Sequence, residues 1–160
     1  MASDVQNLNN GLSGHELKNL FDSGYNTLLA NIDTINSLNV FPVPDGDTGT
    51  NMVLTMKSAK TEFDKGCEND AGKIAEAMSN GALMGARGNS GVILSQFLRG
   101  WASALNNSEI ITPLQIVHPL KNGMEFSYES VSNPVEGTML LSLNMPMKVH
   151  ILHTIMFQIT

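Results

Sequence analysis

From Ser13 onward, apolar residues return at helical spacing. Leu17, Leu20, Phe21, Leu28, Ile32 and Ile35 fall near one face, which predicts one long helix over residues 14–37 that tolerates Gly24. Ser13-Gly14-His15-Glu16 precedes that face with capping-box spacing, a hydroxyl and a carboxylate three apart that can each satisfy a free backbone N–H. Met52, Val53, Met56, Ala59 and Phe63 resume the pattern, with Asp47 or Thr48 available as the cap, until Lys65-Gly66 breaks it. Ile74, Ala77, Met78 and Ala82 predict a closely packed helix over 71–84, ended by the run Gly85-Ala86-Arg87-Gly88-Asn89-Ser90-Gly91. Val92, Ile93, Gln96, Phe97, Gly100 and Trp101 carry the next helix, its first turn lying against that run. Thr112-Pro113-Leu114-Gln115 then opens a helix through Leu120, Met124, Tyr128 and Val131. Pro119 either kinks this helix or moves its start beyond His118, because a proline removes one helical hydrogen bond.

The ends read differently. Residues 1–12 show no period and form a loose lead-in, residues 13–139 a helical domain, and residues 140–160 an apolar tail whose only charged residue is Lys148. Within that tail residues 149–155 have strand character. Five helical segments against at most one short strand give an all-α class, and no internal repeat is visible.

Composition narrows the function. A chain of 160 residues with 42% apolar and 15% charged residues suits a single folded domain. A formal charge of −6 disfavours nucleic acid or an anionic membrane surface as partner, so an anionic ligand would need a metal or local basic help. The single cysteine, Cys67, makes no internal disulfide and sits near Asp64 and Glu68, which disfavours a nucleophilic thiolate. With no apolar run of membrane-spanning length and no leader, the expectation is a cytoplasmic protein without membrane insertion.

Two segments carry candidate chemistry. In Asn39-Val40-Phe41-Pro42-Val43-Pro44-Asp45-Gly46-Asp47-Thr48-Gly49-Thr50-Asn51-Met52, two prolines stiffen a loop that delivers Asp45 and Asp47 to a helix start. Two carboxylates that close repel unless a cation sits between them, and hard oxygen ligands on a rigid loop suit Mg²⁺, which bridges protein carboxylates to phosphates. A turn with two solvated aspartates is the plain alternative. An EF-hand is excluded, because Thr50 stands where that loop needs glycine and Met56 where it needs glutamate. In the second segment Gly88, Asn89, Ser90 and Gly91 can turn successive N–H groups toward one point beside a helix N-terminus, a natural phosphate seat, with Arg87 placed to neutralise charge. A glycine-rich turn between helices is the alternative there. Walker, Rossmann and nucleophile-elbow patterns are missing, and His15, His118, His150 and His153 show no ligand spacing. The ten methionines fall mostly at helical core positions.

The segments 39–52 and 85–96, with Asn133-Pro134-Val135-Glu136-Gly137-Thr138, closely resemble the nucleotide-binding domain of the bacterial fatty acid kinases, itself similar to the L subunit of dihydroxyacetone kinase. The resemblance runs from about Gly14 to Met139. It implies an antiparallel helical barrel whose rim binds ATP or ADP through two Mg²⁺ ions. Asp45 and Asp47 match the metal-binding aspartates, with Asn39 as a third ligand; Asn89, Ser90 and Gly91 match the phosphate-contacting turn, and Thr48 and Asn51 line the same pocket. It further implies phosphoryl transfer to a fatty acid carboxylate presented by a separate carrier protein, or to a dihydroxyacetone-like hydroxyl, and leaves a homo-oligomer open. The family domain continues past residue 160, and this sequence leaves the pattern near Leu140, so the expectation is a barrel incomplete at its C-terminus, as a shifted frame or shortened gene product would leave it. A non-catalytic nucleotide- or partner-binding module, or a poorly folded product, are the alternatives.

Overall fold

Ser13 begins the first helix as its spacing predicts. Its N–H and its hydroxyl both donate to Glu16 Oε2 at 2.8 Å, and the Glu16 N–H donates back to Ser13 Oγ at 3.4 Å. These bonds, the backbone one foremost, hold the Glu16 carboxyl below its ordinary range. The computed structural model describes residues 11–40, 43–66, 69–106, 108–135 and 139–143. Its elements are β1 (Leu12–Ser13), α1 (Gly14–Ala30), α2 (Ile32–Ser37), α3 (Thr48–Phe63), α4 (Ala71–Gly85), α5 (Gly88–Ala104), β2 (Ile110–Ile111), a 3₁₀ turn (Pro113–Ile116) and α6 (Val117–Glu129). The described chain is all-α apart from one pair of two-residue strands.

The helix expected over 14–37 is divided at Asn31, whose backbone (φ −113°, ψ 14°) leaves the helical basin. There the Asn31 N–H bonds Leu28 O at 3.1 Å while its side-chain amide turns back to Thr27 O at 2.8 Å, so one turn tightens before α2 restarts. Of the six residues expected on the buried face, only Leu17 and Phe21 are buried, and Leu20 is exposed. The core lies at the N-terminal end of α1. Around it α3, α4, α5 and α6 pack one against the next in chain order, and α1 covers α3 and α4.

That core joins Leu17, Phe21, Ala59, Phe63, Ile74, Met78, Leu98 and Leu105. Phe21 and Phe63 meet edge to face, centroids 5.3 Å apart and planes at 87°. Above them Lys60 Nζ pairs with Asp22 at 2.7 Å and Asp64 at 3.3 Å, and the Asp22 carboxylate foremost raises the lysine above its ordinary range.

Three further boundaries correct the sequence expectation. Helix α5 starts at Gly88, so Gly88 to Gly91 form its first turn and do not precede it. Its buried stripe is Leu94, Leu98 and Ala102 at fourfold spacing, while Val92 is exposed. The long helix expected from Thr112 is a 3₁₀ turn followed by α6, with Pro119 buried in the first turn, where its missing N–H has no helical partner to lose. Thr112 does form its box, its N–H and hydroxyl both donating to Gln115 Oε1 at 2.9 Å.

Leu12, expected in the lead-in, belongs to β1, which pairs antiparallel with β2 in the register Leu12↔Ile111. Two residues are too short to show the alternation that marks a strand. The strand expected at 149–155, Pro42 of the stiffened loop, Cys67 and residues 144–160 lie outside the described residues.

Phe63→Ala is expected to cost about 3–5 kcal/mol, read as a lower urea midpoint with an unchanged slope. The contribution of Glu16 is complete above the unfolded carboxyl range and fades as pH falls through its lowered folded value, so Glu16→Gln should flatten the acid limb of a stability–pH curve and leave the neutral limb parallel to wild type.

Candidate functional site

The two segments singled out in the sequence meet at one end of the molecule. Helix α3 runs away from that end and α4 returns toward it, so α5 starts beside α3 with the two N-termini together. Ser90 Oγ donates to Thr48 O at 3.3 Å, and the Arg87 N–H donates to Thr55 Oγ1 at 3.4 Å. Gly88 closes the joint. Its φ of +56° is a conformation that side chains disfavour, and a Cβ there would stand 2.3 Å from Asn51 Nδ2. Only glycine lets the α5 backbone come this near to α3.

The loop before α3 is braced by side chains. Thr48 Oγ1 donates to Asn39 Oδ1 at 2.7 Å, and Asn39 Nδ2 donates to Val43 O at 2.9 Å. Asn39, expected as a third metal ligand, therefore spends its amide on holding the loop, with one lone pair of Oδ1 left. Gly46 turns the chain between the aspartates with φ +66°. Asp45 is exposed and Asp47 half-buried, and among the described residues neither carboxylate takes a hydrogen bond or an ion pair.

Asp47 stands at the N-cap position of α3, yet its side chain makes no capping bond. The cap comes from the end of α2. Asn36 Oδ1 accepts from the Gly49 N–H at 2.8 Å and the Thr50 N–H at 3.2 Å, and Asn36 Nδ2 donates to Thr50 Oγ1 at 3.1 Å. This residue was not legible as part of the site, because its partners lie on another helix and no local spacing marks it.

At α5 the situation is the reverse. Its N-cap is Arg87, with no side-chain capping bond, and the guanidinium is folded back onto Ala86 O at 3.0 Å. The Gly91 N–H is spent on Arg87 O at 2.9 Å. Among the described residues the N–H groups of Gly88, Asn89 and Ser90 thus have no partner, so the free donors are the first three of the Gly88 to Gly91 run read from the sequence and sit one residue earlier than the Asn89 to Gly91 turn that the resemblance implies. Ser90, buried, and Thr48, half-buried, tie the two helix ends together through their hydrogen bond, the buried Asn51 lies against Gly88, and Asn89 stands open.

The donor set suits a cation–phosphate pair. Two carboxylates unpaired among the described residues offer hard oxygens, and three unpaired N–H groups at a positive helix end offer an anion seat across the Ser90–Thr48 bond. No group of three His, Cys, Asp or Glu gathers to hold a metal among the described residues, so waters and phosphate oxygens would complete any coordination shell. A separate crevice of about 240 Å³ between α4 and α5, lined by Glu76, Ser79, Arg99 and Asn106, lies elsewhere: Arg99 is roughly 16 Å along α5 from Gly88. Among the described residues no helix is long and apolar enough to cross a membrane.

Gly88→Ala should lose about 1–2 kcal/mol from backbone conformation alone and more from displacing Asn51. A lower thermal midpoint together with faster amide exchange at Asn51 and Gly91 is the expected result; an unchanged midpoint would show that the helix ends are not held at this contact.

The DAK2 domain family matches residues 42–148. Protein YloV of Bacillus subtilis is 45% identical over 129 residues, 81% of this chain and 23% of the relative. Uncharacterised proteins of Staphylococcus saprophyticus and Staphylococcus aureus are each 43% identical over 129 residues, again 81% of this chain, covering 23% and 24% of those relatives. The chain therefore spans about a quarter of the length of the curated relatives it matches. With most of its length inside the match and its helical fold in place, this chain belongs to the DAK2 domain family, the dihydroxyacetone kinase L-like modules related to kinases.

Proposed function

We propose that this chain is the nucleotide-binding module of a kinase, holding ATP or ADP through Mg²⁺ so that the γ-phosphoryl group can pass to an acceptor. The observation that supports the reading is the meeting, among the described residues, of two unpaired aspartates with three unpaired N–H groups across the α3–α5 joint. Asp45 and Asp47 would hold the hard divalent cation against the phosphates. Gly88, Asn89 and Ser90 would donate N–H groups to phosphate oxygens, favoured by the helix end behind them. Bound Mg²⁺ would neutralise the negative charge that builds on the transferring group.

The acceptor favoured by the family resemblance is a fatty acid carboxylate brought by a carrier protein, with an acyl phosphate as product. A carboxylate is ionised at neutral pH and needs no general base, which accords with a site that, among the described residues, is assembled from aspartate, asparagine, threonine, serine and glycine. Positioning and charge neutralisation are then what the chain has to supply. A hydroxyl acceptor of the dihydroxyacetone kind would need a proton acceptor as well, and among the described residues the site offers the two aspartates already given to the cation.

Calorimetry with ADP tests the reading. Binding should require Mg²⁺ and should weaken at least about tenfold in Asp45→Ala, a substitution that removes no hydrogen bond or ion pair among the described residues. Equal binding with and without Mg²⁺, or none at all, would overturn it. Trapping of acyl phosphate with hydroxylamine in the presence of ATP and a fatty acid then separates a kinase from a module that only binds.

A further inference from the structure

Helix α3 has an unusual cap. An aspartate at the N-cap position is among the strongest capping residues, because its carboxylate accepts N–H groups of the first turn. Asp47 occupies that position without doing so, with a backbone (φ −116°, ψ 1°) away from the extended geometry of a capping residue. Asn36 does the work from α2, accepting both the Gly49 and the Thr50 N–H on one oxygen and donating to the Thr50 hydroxyl. The fit is close, for a Cβ on Gly49 would meet Ile32 O at 2.7 Å and Asn36 Oδ1 at 3.0 Å.

We propose that Asn36 is a positioning residue of the site: by capping α3 from a neighbouring helix it keeps the Asp47 carboxylate free to face a divalent cation. The inference rests on the cation-binding reading given above. Its logic is competition for one side chain. Without Asn36, two N–H groups at a positive helix end would lack an acceptor, and the nearest carboxylate able to supply charge-assisted bonds is Asp47. Each such bond would draw that carboxylate away from the cation. Asn36 is also neutral, so it satisfies the helix end without adding a third negative charge beside Asp45 and Asp47. A carboxylate in its place would cap equally well but raise the local charge.

Mn²⁺ titration followed by electron paramagnetic resonance, without nucleotide, tests this on the whole chain, alongside thermal unfolding of each variant. Asn36→Ala and Asn36→Leu should bind Mn²⁺ about tenfold more weakly than wild type while still unfolding cooperatively. Asn36→Asp, which keeps an acceptor toward both N–H groups, should bind at least as tightly as wild type. In an Asp47→Ala background, Asn36→Ala should have no further effect, since the residue through which it acts is gone. Wild-type affinity in both Asn36→Ala and Asn36→Leu, affinity in Asn36→Asp as weak as theirs, or additive losses in the double variant would each overturn the inference. Wild-type protein that takes up no Mn²⁺ would instead overturn the cation-binding reading, and this inference with it.

Discussion

The site depends on the joint where two helix N-termini are pressed together, α3 and α5, through the Ser90–Thr48 hydrogen bond and the bare approach of Gly88 to Asn51. Helix ends with the same partial charge repel, so the contact needs side chains to absorb the exposed N–H groups or an anion to sit over them. The chain treats its two ends differently. At α3 the donors are satisfied internally by Asn36, and at α5 those of Gly88, Asn89 and Ser90 are left open among the described residues. One end is thereby closed and the other open, with Asp45 and Asp47 on the loop that leads into the joint.

Polar residues dominate this joint for a physical reason. Thr55 is fully buried, yet its hydroxyl is spent twice, donating to Asn51 O at 2.8 Å and accepting the Arg87 N–H. Ser90 and Asn51 are nearly as buried. A purely apolar contact would leave the Arg87 N–H and the Thr55 hydroxyl without partners, at a cost of about 1–3 kcal/mol for each such group when buried. Apolar packing is instead concentrated around Phe21, Phe63, Ile74 and Met78, which holds the helices while polar contacts set their ends.

Much of this was legible in the sequence, and what was not follows a pattern. The helices under Met78 and Phe63 announced themselves by spacing, and the capping boxes at Ser13 and Thr112 by local chemistry, because both are properties of residues three or four apart. The two candidate segments were legible as continuous motifs. Their meeting, set by contacts such as Ser90 to Thr48 at a separation of 42 residues, has no local trace beyond the family resemblance. The same limit hid Asn36, whose partners are 13 and 14 residues away, and made Asp47 look like a cap. Pro119 misled in another way: its penalty applies to a helix interior, and α6 starts two residues before it.

Backbone amide spectra of the ¹⁵N-labelled chain, recorded as ADP is added with and without Mg²⁺, test the central claim most directly. The account predicts that the Gly88, Asn89 and Ser90 resonances move together, in the presence of Mg²⁺ only. Shifts centred instead on Glu76, Arg99 and Asn106, or amides of 88–90 that stay fixed while nucleotide binds, would contradict it.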